Sequence, residues 1–202
     1  MRAVDQERRL IRFSAIGTAD PITALGDGSM LQIVRHYRPM VVVLFLSAEI
    51  AAFETADRRY SSAITPLAPE TDDRIVTYTN PSVDRFDLFV PVFRNHLVEL
   101  SAEFPDRTIL LNTSSGTPAM QAALVAINVF DILRTAAVQV STLARALIKP
   151  GGRVSPDAYD LELMWDANDD NQPGAPNRCF QASSASLGAL LERVQMKLLI
   201  AS

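Results

Sequence analysis

Residues 108–118 read TILLNTSSGTP, and this stretch contains a short apolar strand, a loop rich in hydroxyl groups and the start of a helix. The run from Thr108 to Leu111 suits a strand. Thr117 suits the position that caps a helix, and Pro118 suits the first helical position, where a missing N–H is tolerated. A strand that passes through a short loop into a capped helix is the unit from which α/β folds with parallel sheets are built.

The same alternation of strands and helices runs through the first 145 residues. Apolar runs predict five strands, at Leu10–Ile16, Val41–Leu46, Arg74–Thr79, Thr108–Leu111 and Ala136–Val140. Caps and helical spacing predict helices from Asp20-Pro21 to about Tyr37 (with Gly26–Gly28 as a candidate interruption), from Ser47 to about Arg59, at Phe86–Phe104 and at Pro118–Leu133. This order predicts a Rossmann-like, doubly wound parallel sheet.

The character of the chain changes near residue 150, so we expect a domain over residues 1–150 and a C-terminal extension over residues 151–202. Pro150-Gly151-Gly152 is a break, and the polar stretch Asp166–Asn177 is rich in residues typical of loops. Leu187–Ile200 predicts a helix, which we interpret as the start of a linker helix.

Composition excludes several classes of protein. The net charge of −4 argues against a protein that coats long nucleic acid with a basic face, and we expect no DNA partner. The single cysteine, Cys179, allows no disulfide within the chain and fits a reducing compartment. Neither a secretory signal nor an apolar run long enough for a bilayer is found, so we expect a cytoplasmic protein without a membrane partner. No Cys/His cluster has metal-ligand spacing, and we expect no cofactor.

Two loops follow predicted strands and are candidates for a binding site: a first loop, Gly17–Asp20, and a second loop, Asn112–Pro118. A strand order of 3-2-1-4-5 would place them side by side at the point where ligands bind in open α/β sheets. Gly116 allows a close approach of the backbone, and the free N–H groups of the following helix favour an anion such as phosphate. The alternative is that the second loop is only a well-capped turn.

Standard motifs of nucleotide-binding proteins and hydrolases are missing. The chain has no P-loop, no glycine fingerprint for dinucleotides and no GxSxG elbow, which disfavours a dehydrogenase or an α/β hydrolase. His36 and His96 both lie within or at the ends of predicted helices, where surface or packing roles are more common than catalytic ones.

At the two loops the sequence resembles the CARF domain (CRISPR-associated Rossmann fold) of type III CRISPR ancillary CARF-HEPN ribonucleases. Arg12–Ile22 (RFSAIGTADPI) resembles the opening strand of that domain, and Leu110–Met120 (LLNTSSGTPAM) resembles its Asn-x-Ser-Ser-Gly-Thr-Pro-x-Met signature. Ala119 departs from the glutamine that the family often has. Supporting similarities lie at Phe86-Asp87, Gln139–Thr142, Trp165 and Asn177–Cys179.

The resemblance implies a sensor that binds a cyclic oligoadenylate of four or six nucleotides across the two-fold axis of a homodimer. The residues that it implies as ligand contacts are Ser14, Gly17, Thr18, Asp20, Thr113, Ser114, Ser115, Gly116 and Thr117. Asn112 is alternatively a buried structural residue, and Asp20 alternatively only caps a helix. Some sensors of this family also cleave the ring by attack of a ribose 2′-OH on the adjacent phosphate, and for that reaction the candidate stabilising residues are Thr18, Thr113 and Thr117.

The resemblance also implies a HEPN ribonuclease domain in the longer protein, and this chain lacks the signature of that domain. HEPN domains carry Arg followed four to six residues later by His, whereas Arg94 lies only two residues before His96. The chain is therefore interpreted as a sensor domain of a longer enzyme or as a standalone sensor. A transcription regulator with the same sensor would need a helix-turn-helix, which we do not find after residue 150. Trp165 could stack on an adenine or pack in the core, and Arg178 could bind phosphate or form a surface ion pair.

Overall fold

Strands and helices alternate along most of the chain in the computed structural model, which describes residues 10–24, 26–141 and 159–181. The strands are β1 (Leu10–Ala15), β2 (Ile22–Thr23), β3 (Gly26–Asp27), β4 (Val41–Ser47), β5 (Asp72–Tyr78), β6 (Thr108–Asn112), β7 (Thr135–Val140) and β8 (Cys179–Gln181). The helices are α1 (Ser29–Tyr37), α2 (Ala48–Asp57), α3 (Arg59–Ile64), α4 (Phe86–Glu103), α5 (Pro118–Phe130) and α6 (Leu161–Asp166), followed by a 3₁₀ turn at Asp169–Asn171.

The central sheet has the order β5-β4-β1-β6-β7-β8, and its first five strands are parallel. This arrangement confirms the predicted order 3-2-1-4-5. Strand β1 lies in the middle, where Ile11 is opposite Val41 on one side and Ile109 on the other. The chain leaves β1 toward β4 and later returns to β6 on its other side, so the switch in direction falls between β1 and β6.

Helices cover both faces of the sheet, as a doubly wound fold requires. On one face α4 and α5 pack against β1, β4 and β6, and the ring of Phe93 lies 4.8 Å from that of Phe45 in an edge-to-face contact. On the other face α1 and α3 cover β4 through buried residues such as Leu31, Leu44 and Tyr60. Each buried aromatic or aliphatic side chain of this kind stabilises the fold by roughly 1.5–3 kcal/mol.

The helix predicted from Asp20-Pro21 is wrong in its first part. Residues 22–27 form the antiparallel β2–β3 hairpin, and α1 begins only at Ser29. The φ angle of Gly26 is +119°, a conformation that a helix does not contain, and the Thr23 hydroxyl donates to the Gly26 carbonyl at 3.2 Å. The glycines that suggested an interruption therefore shape a hairpin, and the helix predicted to resume after them and to run to about Tyr37 is confirmed as α1.

Residues 159–181 carry structure that the loop prediction for Asp166–Asn177 missed in part. Helix α6 ends at Asp166, where that polar stretch begins, and β8 then joins β7 as an antiparallel edge strand. This edge strand lies beyond residue 150 yet belongs to the same sheet. The predicted break at residues 150–152 and the predicted helix Leu187–Ile200 lie outside the described residues. Among the described helices, none has the length and apolarity that crossing a membrane would take.

Candidate functional site

The first loop (Gly17–Asp20) and the second loop (Asn112–Pro118) meet above the switch point between β1 and β6. The Gly17 amide donates to Ser115 Oγ at 2.9 Å, which joins loops separated by almost a hundred residues. A Cβ atom on Gly17 would lie 3.0 Å from the Gly116 nitrogen, so only glycine allows the two backbones to come this close. We call the surface formed by these two loops the crevice.

Asp20 stabilises the first loop through buried hydrogen bonds. Its side chain is buried, and Oδ2 accepts the Ser115 hydroxyl and, at 3.4 Å, the Gly17 amide. Oδ1 accepts the Met30 amide at 2.9 Å in the first turn of α1. Burial raises the pKa of Asp20, and the hydrogen bonds from Ser115 and Met30 oppose that rise. Asp20 thus caps a helix, as its alternative interpretation held, although the helix is α1 rather than one starting at Pro21.

Hydroxyl groups of the second loop are bonded to neighbouring backbone. The Thr113 hydroxyl donates to the Val138 carbonyl at 3.1 Å, and Ser114 Oγ accepts the Val140 amide at 2.8 Å. The Thr117 hydroxyl donates to the Val83 carbonyl at 2.6 Å, and its oxygen accepts the Met120 amide at 3.4 Å as the cap of α5. These side chains hold the loop between β7 and the segment before α4.

Asn112 and Ser14 form a buried layer beneath both loops. The Asn112 amide group donates to Ser14 Oγ at 2.7 Å and to Ser29 Oγ at 3.0 Å, while its Oδ1 accepts the Ser114 amide at 3.0 Å. Both Asn112 and Ser14 have no exposed surface. The structural interpretation of Asn112 is therefore supported, and Ser14 lies under the crevice rather than in its surface.

The groups that stay available at the crevice are mostly backbone amides. Within residues 10–24, 26–141 and 159–181, no hydrogen-bond acceptor is found for the amides of Thr18, Ala19, Ser115, Gly116 or Thr117, nor any partner for the exposed Thr18 hydroxyl. Gly116 has a φ angle of +79°, which turns the second loop into the first turn of α5. Unpaired amides at the start of a helix attract anions, because the N–H groups and the helix dipole both present positive charge.

Arg12 is a buried cation that sequence reasoning missed. Its side chain has no exposed surface, and none of its three guanidinium nitrogens has a hydrogen-bond partner among the described residues. Burial lowers the pKa of Arg12 to about 10, and the negative charge of Asp20 opposes that change. It lies two residues before Ser14 on the same face of β1, so a positive charge sits near the buried layer under the crevice. One arginine in an apolar strand gives no signal from which this could be predicted.

The remaining candidates lie away from the crevice. His36 in α1 contacts Asn177, and His96 lies within α4. Arg178 forms a buried ion pair with Asp170, which differs from both the phosphate contact and the surface ion pair considered for it. Trp165 is partly buried against the core that includes Met30 and Tyr60. Among the described residues, no group of three His, Cys, Asp or Glu side chains could hold a metal ion.

Comparison with known proteins identifies relatives over nearly the whole chain. The family model described as the Cas_Csm6 CARF domain matches residues 72–179, just over half of the chain. The curated protein CRISPR system endoribonuclease Csm6 of Mycobacterium tuberculosis is 86% identical over 193 residues, which are 96% of this chain and 46% of that protein. Its namesake from Enterococcus italicus is 30% identical over 200 residues, or 94% of this chain and 45% of that protein. The chain thus spans about half the length of these relatives.

A solved structure shares the fold. Enterococcus italicus Csm6 bound to cyclic hexa-2'-fluoro-hexa-dAMP matches with a TM-score of 0.76 at 28% identity, over 96% of this chain and 47% of that one. The match supports the Rossmann-like arrangement described above.

Proposed function

The chain belongs to the Csm6 family of CRISPR system endoribonucleases, in the region of its CARF domain, and we propose that it binds a cyclic oligoadenylate at the crevice as the sensor of a longer ribonuclease. The observation that carries the proposal is the row of unpaired amides on the first and second loops. A cyclic oligoadenylate carries one phosphate per nucleotide, and this row offers donors to such anions. The related Csm6 structure was solved with a ring of this chemical class.

The polar groups of the two loops divide into ring contacts and supports of the loop backbone. Thr18 and the amides of Ser115, Gly116 and Thr117 contact phosphates and riboses of the ring. The side chains of Asp20 and Ser115 hold the loops in register, because their polar atoms are already bonded to one another. Recognition by backbone dipoles also explains how a chain with a net charge of −4 binds a small nucleic acid without a broad basic face.

The bound ring favours a symmetric pair of protein chains. A ring of identical nucleotides has rotational symmetry, and two identical crevices related by a two-fold axis would make equivalent contacts with its opposite halves. We therefore propose a homodimer around one ring. In the longer protein the occupied dimer would regulate the ribonuclease domain.

A second candidate function is slow cleavage of the bound ring. The 2′ oxygen would attack the adjacent phosphorus and give its proton to solvent, and the 5′ oxygen would leave and take a proton from solvent, giving a 2′,3′-cyclic phosphate and a 5′-hydroxyl. Thr18 favours this reaction, because its hydroxyl is exposed and uncommitted and could stabilise the developing charge on phosphate. Thr113 and Thr117 donate their hydroxyl protons to the Val138 and Val83 carbonyls, so they would need to rotate before serving the same purpose.

Calorimetric titration with cyclic tetra-adenylate and cyclic hexa-adenylate tests the proposal, with linear hexa-adenylate as the control ligand. We expect one of the two rings to bind with a stoichiometry of one ring per two chains. Replacing Thr18 with alanine should weaken binding about three- to tenfold, the loss of roughly one hydrogen bond. The control, Thr55→Ala, removes an exposed hydroxyl of α2 that bonds only the Ala51 carbonyl, and should bind like the wild type.

Chromatography of the same mixtures after an hour distinguishes sensing from cleavage. An intact ring supports a sensor alone, and linear products with a 2′,3′-cyclic phosphate end support cleavage. Absence of binding of either ring at micromolar protein would contradict the proposed function.

A further inference from the structure

A buried cluster outside the crevice joins the β2–β3 hairpin to residues 168–178. The Asp27 amide donates to Asp170 Oδ2 at 2.7 Å, and the Asn168 side chain donates to Asp27 Oδ1 at 2.6 Å. Arg178 pairs with Asp170 and donates to the Asp27 carbonyl at 3.2 Å. All four side chains are at least nine-tenths buried. We call these four residues the Asp27 clasp.

The fit between the hairpin and the later segment is tight. Arg35 on α1 donates to both carboxylate oxygens of Asp27, at 2.7 and 3.1 Å, so the charge of Asp27 is matched within the cluster. A Cβ atom on Gly26 would lie 2.4 Å from Asp170 Oδ2. Tyr159 adds a second attachment, since its hydroxyl lies 3.2 Å from the Ile22 amide and 3.3 Å from the Ile22 carbonyl. The segment 159–178 is therefore docked on the hairpin at both strands.

The same hairpin also touches the first loop. The Gly28 amide donates to the Pro21 carbonyl at 2.8 Å, which closes the hairpin at its base. A Cβ atom on Gly28 would lie 2.5 Å from both the Ala19 carbonyl and Asp20 Oδ1. The first loop therefore rests on the hairpin, and a shift of Asp27 cannot leave the position of Asp20 unchanged in such close packing.

We propose that Asp27 is a positioning residue for the crevice: the Asp27 clasp presses the hairpin against the first loop, so that ring binding and docking of residues 159–181 stabilise each other. The inference rests on the proposed function for its ligand. By thermodynamic linkage, if docking of residues 159–181 raises the ring affinity by some factor, ring binding raises the docking equilibrium constant by the same factor. Occupancy of the crevice is thereby communicated to residues 159–181, the described segment with the highest residue numbers.

The test compares Asp170→Asn with Asp169→Asn in the full chain. Asp170 is buried in the clasp, whereas Asp169 is exposed and its side chain makes no hydrogen bond or ion pair with described residues, so the same chemical change is made at neighbouring positions. We expect Asp170→Asn to weaken binding of the preferred ring about tenfold, within the usual range of coupling between sites, and Asp169→Asn to bind like the wild type. Asn168→Ala, which removes the donor to Asp27 Oδ1, serves if Asp170→Asn does not fold, and should give a similar loss.

Hydrogen exchange supplies a readout that needs no ligand. The Asp27 amide is bonded to Asp170 and the Met30 amide to Asp20, so their exchange rates report on the clasp and on the first loop. Faster exchange at both amides in Asp170→Asn supports the coupling, and added ring should slow exchange across residues 159–181 in the wild type. If only the Asp27 amide exchanges faster and ring affinity is unchanged, the inference is overturned. If the wild type binds no ring, the proposed function fails, while the two exchange rates still decide whether the clasp positions the loop.

Discussion

Replacing Ser115 with alanine removes the one hydroxyl that joins the two loops of the crevice, and the structure gives the size of the effect. The hydroxyl donates to the buried carboxyl of Asp20 and accepts the Gly17 amide at 2.9 Å. A hydrogen bond to a charged group contributes about 1.5–3 kcal/mol and a neutral one about 0.5–1.5 kcal/mol. We therefore expect a loss of about 2–4 kcal/mol in the free energy of unfolding at pH 8. Each kcal/mol lost lowers the Tm of a chain of this length by roughly 2–4 °C.

The loss should depend on pH in a defined direction. Burial raises the pKa of Asp20 above its ordinary value of 3.8, so stability from this group falls as the pH rises above that value. Ser115 lowers the pKa of Asp20, so removing its hydroxyl raises the pKa further and extends the fall to higher pH. The difference between variant and wild type should thus be larger at pH 8 than at pH 4.

Urea unfolding at pH 4 and pH 8, monitored by tryptophan fluorescence and circular dichroism, measures the loss of unfolding free energy and its dependence on pH. Ser114→Ala is the matched control, because Ser114 Oγ accepts the Val140 amide and has no bond to Asp20. It should cost about 1 kcal/mol at either pH. A Ser115→Ala protein within about 0.5 kcal/mol of the wild type at pH 8, or one with the same loss at both pH values, would refute this reasoning.

Two further predictions concern buried positions. Replacing Arg12 with methionine should raise the free energy of unfolding by about 1–4 kcal/mol near pH 4, because it removes a buried guanidinium that has no hydrogen-bond partner among the described residues. The gain should be smaller at pH 8, because Asp20 is then more ionised and the variant lacks the opposing charge of Arg12. Thermal unfolding at both pH values measures this, and a destabilised variant at pH 4 would show that Arg12 has a stabilising partner. Gly26→Ala should lower the free energy of unfolding, measured by chemical denaturation, by at least about 2 kcal/mol more than Gly174→Ala does. Both glycines have positive φ angles, but a Cβ on Gly26 meets Asp170 whereas one on Gly174 meets nothing within 4 Å, so equal losses would contradict the described packing.

The centre of the sheet was predictable from sequence because strands such as β4 and β6 are apolar runs. Val41–Ser47 is buried along almost its whole length, and a run of this kind has few alternatives to a central parallel strand. The order 3-2-1-4-5, under which we expected the two loops to meet, is the order that the sheet has. Thr117 and Pro118 marked the start of α5 correctly, because capping is a local interaction between neighbours in sequence.

The parts that sequence did not predict depend on contacts between distant residues. Asp20 looked like the cap of the helix that follows it, yet its partner is the Met30 amide ten residues later, across a hairpin that no local pattern indicates. Strand β8 is a three-residue edge strand, too short for a periodic signal. The loop hydroxyls were predicted as ligand contacts, but whether a hydroxyl such as that of Thr117 turns inward to Val83 depends on tertiary packing.

The unpaired amides of the crevice have a consequence for how this protein tolerates mutation. A main-chain N–H is present whatever the side chain, except in proline, so substitution at a crevice position such as Ala19 leaves the donor in place. The vulnerable positions are the ones that shape the backbone of the two loops, such as Gly17, Gly116 and the buried Asn112. Side chains at the rim of the crevice can therefore vary with less effect on its amide donors than the glycines and buried side chains that shape its backbone.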